Sequence, residues 1–120
     1  MSESGRQIFN KVIQKMIEKS LFTERQIEII LNQRELLEAR FPISRGAYYR
    51  QVGQSRDKMV ALFYTVVVLR GLGILLPDDV DVMMDLAERV DVINSGDMPP
   101  ESAEQMIDVI EKYIRQACSM

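Results

Sequence analysis

Histidine and tryptophan are missing from this chain, and cysteine occurs once, at Cys118. Without histidine the chain lacks the commonest general base and the commonest metal ligand. A single cysteine excludes an intramolecular disulfide and leaves no thiolate set for zinc. Glycine is sparse, and the pair Gly71-x-Gly73 is too short for a phosphate loop and has no lysine after it. The acidic run Asp78, Asp79, Asp81, Asp85 lacks the loop glycine and terminal glutamate of an EF-hand. The longest apolar run, Met59 to Leu69, is broken by Thr65 and falls well short of the roughly 20 residues that cross a bilayer. Met1 to Lys11 is polar and unlike a signal peptide. These absences lead us to expect a protein without catalytic machinery, cofactor or metal, with no membrane partner, in a reducing, cytoplasmic setting. No residues single out a small-molecule ligand.

What is present is charge, unevenly placed. The net charge of -3 hides a partition. Residues 1–76 carry twelve Lys/Arg against seven Asp/Glu, a net of +5, while residues 77–120 carry three against eleven, a net of −8. From Arg40 to Lys58 the basic residues are Arg40, Arg45, Arg50, Arg56 and Lys58, opposed by Asp57 alone. A locally basic face on an acidic protein suits phosphate contact, which depends on the local field. The plain alternative is a solvated helical surface rich in arginine.

Apolar residues recur with helical period almost throughout, so the expected fold class is all-α, a bundle of about six helices in a single domain over 1–120. The first helix should run from Arg6 to Lys19 with Ile8, Phe9, Val12, Ile13, Met16 and Ile17 on one face. The second should start at Thr23, where Thr23 and Gln26 have the spacing of a capping box, and end before Pro42. A third is expected from Arg45 to Val52, capped by Ser44. Gly53 should then supply a turn, and a fourth helix should run from Ser55 to Arg70 and stop at Gly71 and Gly73. The second half of that helix is apolar nearly all round, which predicts the most buried helix of the fold. Pro77 with Asp78, Asp79 and Asp81 should open the fifth. Beyond Asn94-Ser95-Gly96 and the connector Met98-Pro99-Pro100, the sixth should run from Glu101 to Ala117.

Phe22-Thr23-Glu24-Arg25-Gln26-Ile27-Glu28-Ile29-Ile30 resembles the Leu-Thr-x-Arg-x-x-Glu-Val-Leu opening of sigma-factor region four and response-regulator-type domains. Val52-Gly53-Gln54-Ser55-Arg56-Asp57-Lys58-Met59 resembles their Leu-Gly-Val-Ser-Arg-x-x-Val turn. Leu69-Arg70-Gly71-Leu72-Gly73-Ile74-Leu75 looks like the end of the recognition helix in winged-helix transcriptional regulators. The resemblance covers roughly residues 22–75 and implies a central helix-turn-helix; the flanking amphipathic segments 1–20 and 78–118 would either close the core or pair with a second chain. The stretch from Ile74 to Pro77 is too short for a hairpin, so a wing should be absent or vestigial. The implied function is a transcriptional regulator that binds double-stranded DNA, as a homodimer matching two-fold operators. Ser55 and Arg56 would open the recognition helix, with Arg45, Arg50 and Lys58 on the flanking backbone. The alternative is a helical protein–protein interaction module without DNA binding, in which Met83, Met84, Met98 and Met106 offer an adaptable surface.

Overall fold

A computed structural model describes residues 9–96 and 99–120. The expected first-helix residues Arg6 and Ile8, and Met98 of the connector, lie outside the described residues. The described residues are all-helical: α1 (Lys11–Lys19), α2 (Glu24–Gln33), α3 (Arg45–Gly71), α4 (Pro77–Ser95) and α5 (Pro100–Ala117). Two compact units divide the chain, and α1 and α3 contribute residues to both.

The first unit contains Ile17–Val67. Helix α2 starts as its sequence dictates. Thr23 Oγ1 accepts a hydrogen bond from the Gln26 N–H at 3.1 Å, and Gln26 Oε1 accepts from the Thr23 N–H at 3.0 Å. This capping box satisfies two amide donors at the helix start. At the other end, the Leu36 N–H reaches Leu31 O and the Glu35 N–H reaches Asn32 O, with Glu35 at φ 59. That pattern is a Schellman motif. Ser44 opens α3 by accepting from the Ala47 N–H at 3.1 Å. Between α2 and α3 the chain is tied down by Tyr48. Its hydroxyl accepts from Asn32 Nδ2 and Gln33 Nε2, both at 2.8 Å, and its ring packs against Phe41 and Tyr49. Ile17, Ile29, Gln26 and Ser55 are the buried residues of this unit.

The second unit contains Phe9–Met16 and Val68–Met120. Asn10 Oδ1 accepts from the Ile13 N–H at 3.0 Å, and Asn10 Nδ2 donates to Ile93 O at 2.9 Å. One side chain thus caps the start of α1 and satisfies a carbonyl near the end of α4. Gly73, at φ 76, closes α3, with the Ile74 N–H bonded to Leu69 O. Pro77 stands in the first turn of α4, and Asp79 Oδ2 accepts from the Leu76 N–H at 2.8 Å. The acidic cluster is therefore a helix start. The core consists of Phe9, Val12, Ile13, Leu86, Ile93 and Ile110.

Two expectations are corrected. The turn at Gly53 does not form: α3 is one helix of 27 residues, and the segments expected as a third and fourth helix are continuous. Among the described residues only Glu35 and Gly73 adopt positive φ. Glycine permits a turn but does not impose one. Inside a helix it costs about 1 kcal/mol relative to alanine, which the proline-free flanks easily carry. The second correction concerns burial. Phe63, Tyr64, Val67 and Val68, expected in the most buried helix, are exposed. An apolar face records a need for cover and does not say which molecule supplies it.

Candidate interaction surface

A helix turns by about 100° per residue, so spacings of three and four return to the same side. On α3 the sequence Tyr49, Gly53, Arg56, Val60, Phe63, Val67 steps 4-3-4-3-4 along one line. This is the spacing of a coiled-coil seam, with the β-branched Val60 and Val67 at one type of position and Tyr49, Arg56 and Phe63 at the other. The line faces solvent. Relative exposure is 55% for Tyr49, 49% for Val60, 64% for Phe63 and 68% for Val67, and the adjacent Tyr64 is 71% exposed. Ser55, on the other side of the same helix, is 1% exposed.

Toward its N-terminal end the line becomes basic. The Arg45 guanidinium carbon stands 5.9 Å from the Tyr49 ring centroid. Arg56 is exposed beside the apolar residues. Together with Arg34, Met59, Val60, Phe63, Tyr64 and Val67 it lines a shallow concavity of about 510 Å³. The apolar lining of this concavity is thus bordered by the guanidinium groups of Arg34 and Arg56.

The five residues expected to face DNA divide into two sets. Arg45, Arg50 and Arg56 are exposed on α3. Arg45 and Arg56 lie near the exposed line, while Arg50 is turned well away from it at this helical pitch. Ser55 does not open a helix. It sits in the interior of α3, buried, and its hydroxyl has no hydrogen-bond partner. Lys58 is committed inside the first unit. Its ammonium donates to Leu21 O and to Gln26 Oε1, each at 2.8 Å, and stands 5.8 Å from the Phe22 ring centroid. The same Gln26 oxygen belongs to the capping box, so one acceptor fastens the start of α2 to α3.

Titration adds one feature to this unit. Burial pushes the Glu28 carboxyl above its ordinary value of 4.5; Arg25 pulls the other way, and Glu24 reinforces the rise.

The signal that locates this surface was already in the chain. The 4-3 repeat runs through the Val52–Met59 segment, and reading that segment as a turn hides it, because a turn resets the helical phase. No described helix is long and apolar enough to cross a membrane. No protein-family model matches the chain, and no curated protein and no solved structure matches it either.

Proposed function

We propose that the chain is a non-enzymatic helical interaction module that forms a homodimer by pairing α3 with α3 of a second copy. The observation that carries this reading is the exposed 4-3 line of Tyr49, Val60, Phe63 and Val67 on a single long helix. A helix of 27 residues is about 40 Å long, enough for several turns of knobs-into-holes packing. Fully burying a valine or phenylalanine side chain contributes about 1.5–3 kcal/mol. Val60, Phe63, Tyr64 and Val67 from both copies, each already partly covered, would contribute on the order of 10 kcal/mol. That is of the size needed to offset an association cost of about 4–15 kcal/mol.

Charge selects the orientation. In a parallel pair Arg56 would face Arg56 of the second copy. In an antiparallel pair centred near Val60 it would instead meet Phe63 and Tyr64, whose ring faces attract a guanidinium. The proposed dimer is therefore antiparallel and two-fold symmetric.

The test is the molar mass in solution by light scattering across a concentration series. The wild-type chain should run as a dimer. Phe63→Glu and Val67→Glu should be monomers with unchanged helical circular dichroism, because both side chains are exposed in a single copy. A wild-type monomer at about 100 µM, well above typical dimer affinities, would remove the reading.

A second reading, double-stranded DNA binding in transcriptional regulation, is supported by the exposure of Arg45, Arg50 and Arg56. It would act through a continuous basic helix and not through a helix-turn-helix. Fluorescence anisotropy with mixed duplex DNA tests it. Affinity that falls steeply with salt, and falls further in Arg45→Ala/Arg56→Ala, supports phosphate contact. No binding at low salt removes it.

A further inference from the structure

The second unit contains a half-enclosed cavity of about 860 Å³. Its walls come from four separate stretches: Met16 of α1, the end of α3 with its following turn, α4, and α5 with the residues after it. Leu86 and Ile110 are the buried residues among its walls. The lining is almost wholly aliphatic or sulfur-bearing, and among the described residues Asp79 is the only charged side chain in it.

From this geometry we infer a binding site for a small molecule built on a hydrocarbon chain, with a neutral or cationic polar end. The volume lies within the range of about 300–1,000 Å³ occupied by small-molecule sites. Ile74, Met83 and Ile114 of the lining are exposed, apolar surface that a bound hydrocarbon would take out of water. Four stretches converge on one space, whose volume matches a ligand of small-molecule size. Flexible thioethers at Met16 and Met83 let the wall adapt to a chain without a fixed shape. Asp79 sets the polarity of the end group. Its carboxylate already accepts from the Leu76 N–H. It can also accept from a hydroxyl or an ammonium, whereas it repels a carboxylate.

The test uses the full chain and the neutral fluorophore N-phenyl-1-naphthylamine. Binding should saturate at one molecule per chain. Dodecanol and dodecylamine should displace it, and laurate should need at least about ten times the concentration, a difference of about 1.4 kcal/mol. Asp79→Asn keeps an acceptor for the Leu76 N–H and should bring laurate level with dodecanol. Val90→Trp projects an indole into the cavity and should weaken binding at least about tenfold while circular dichroism is unchanged. Phe63→Glu, on the α3 surface, should leave binding intact. Non-saturating fluorescence, or binding of unchanged affinity in Val90→Trp, would overturn the site. Loss of binding in Phe63→Glu would assign the dye to the α3 surface and overturn it equally. Displacement by laurate as strong as by dodecanol would overturn the assignment of the end group.

Discussion

Lys58 Nζ and Gln26 Oε1 lie 2.8 Å apart, joining the middle of α3 to the first turn of α2. The same ammonium holds Leu21 O, just ahead of that helix. Removing it should therefore loosen the first unit. Lys58→Met keeps the aliphatic stem but leaves two acceptors with one partner fewer each. The expected loss is about 1–3 kcal/mol, read from the denaturant midpoint at unchanged slope. An unchanged midpoint would show that solvent replaces the ammonium without cost. A test of nucleic-acid contact should accordingly use the arginines, since a lysine variant would confuse folding with binding.

Gly53→Ala separates a turn from a helix. In a continuous helix the new methyl group replaces costly backbone freedom and should stabilise the chain by about 1 kcal/mol. Space is available, because the added carbon meets only Arg56 Nη2, at 3.8 Å. At a turn with positive φ the same change would destabilise. Thermal or chemical denaturation gives the sign directly.

Ser55→Ala makes the complementary point. The Ser55 hydroxyl is buried without a partner. Deleting it removes a desolvation cost, and stability should be unchanged or rise by up to about 1 kcal/mol. If Ser55 capped a helix, alanine would instead cost about 1 kcal/mol.

Glu28 predicts a pH dependence. Its folded carboxyl binds a proton more tightly than the unfolded one, because burial raises its pKa above 4.5. Its contribution to stability is therefore fully present below the unfolded value. It is lost as pH rises from there through the folded value. Glu28→Gln should flatten that part of the stability–pH curve and make the chain more stable at neutral pH. Equal slopes for both proteins in the window above pH 4.5 would show that solvent, not burial, sets this carboxyl.

How far the chain can be read depends on the range of each interaction. Thr23 with Gln26, Ser44 before α3, Pro77 with its aspartates and Gly73 after α3 all act within a few residues, and each is where its local chemistry places it. The all-helical class follows from periodicity of the same short range. Gly53 is ambiguous because a glycine two residues before Ser-Arg fits a turn and a helix interior alike. Burial along Phe63–Val68 is not legible because hydrophobicity records a side chain's preference for cover and not whether the fold supplies it. The Lys58–Gln26 contact joins residues 32 positions apart, and no local pattern announces it. The same holds for the second-unit cavity, whose walls only the assembled helices bring together.

Helices α2 and α3 end in the same backbone motif, but Gly73 occupies the left-handed position in one and Glu35 in the other. A residue with a side chain carries a penalty of roughly 1–2 kcal/mol there, and glycine carries none. The last turn of α2 is thus spring-loaded. Its amides should exchange with deuterium faster than those closing α3, and replacing Glu35 with glycine should slow them. Local opening is therefore expected first at residues 34–36, beside Asn32 and Gln33, which Tyr48 holds.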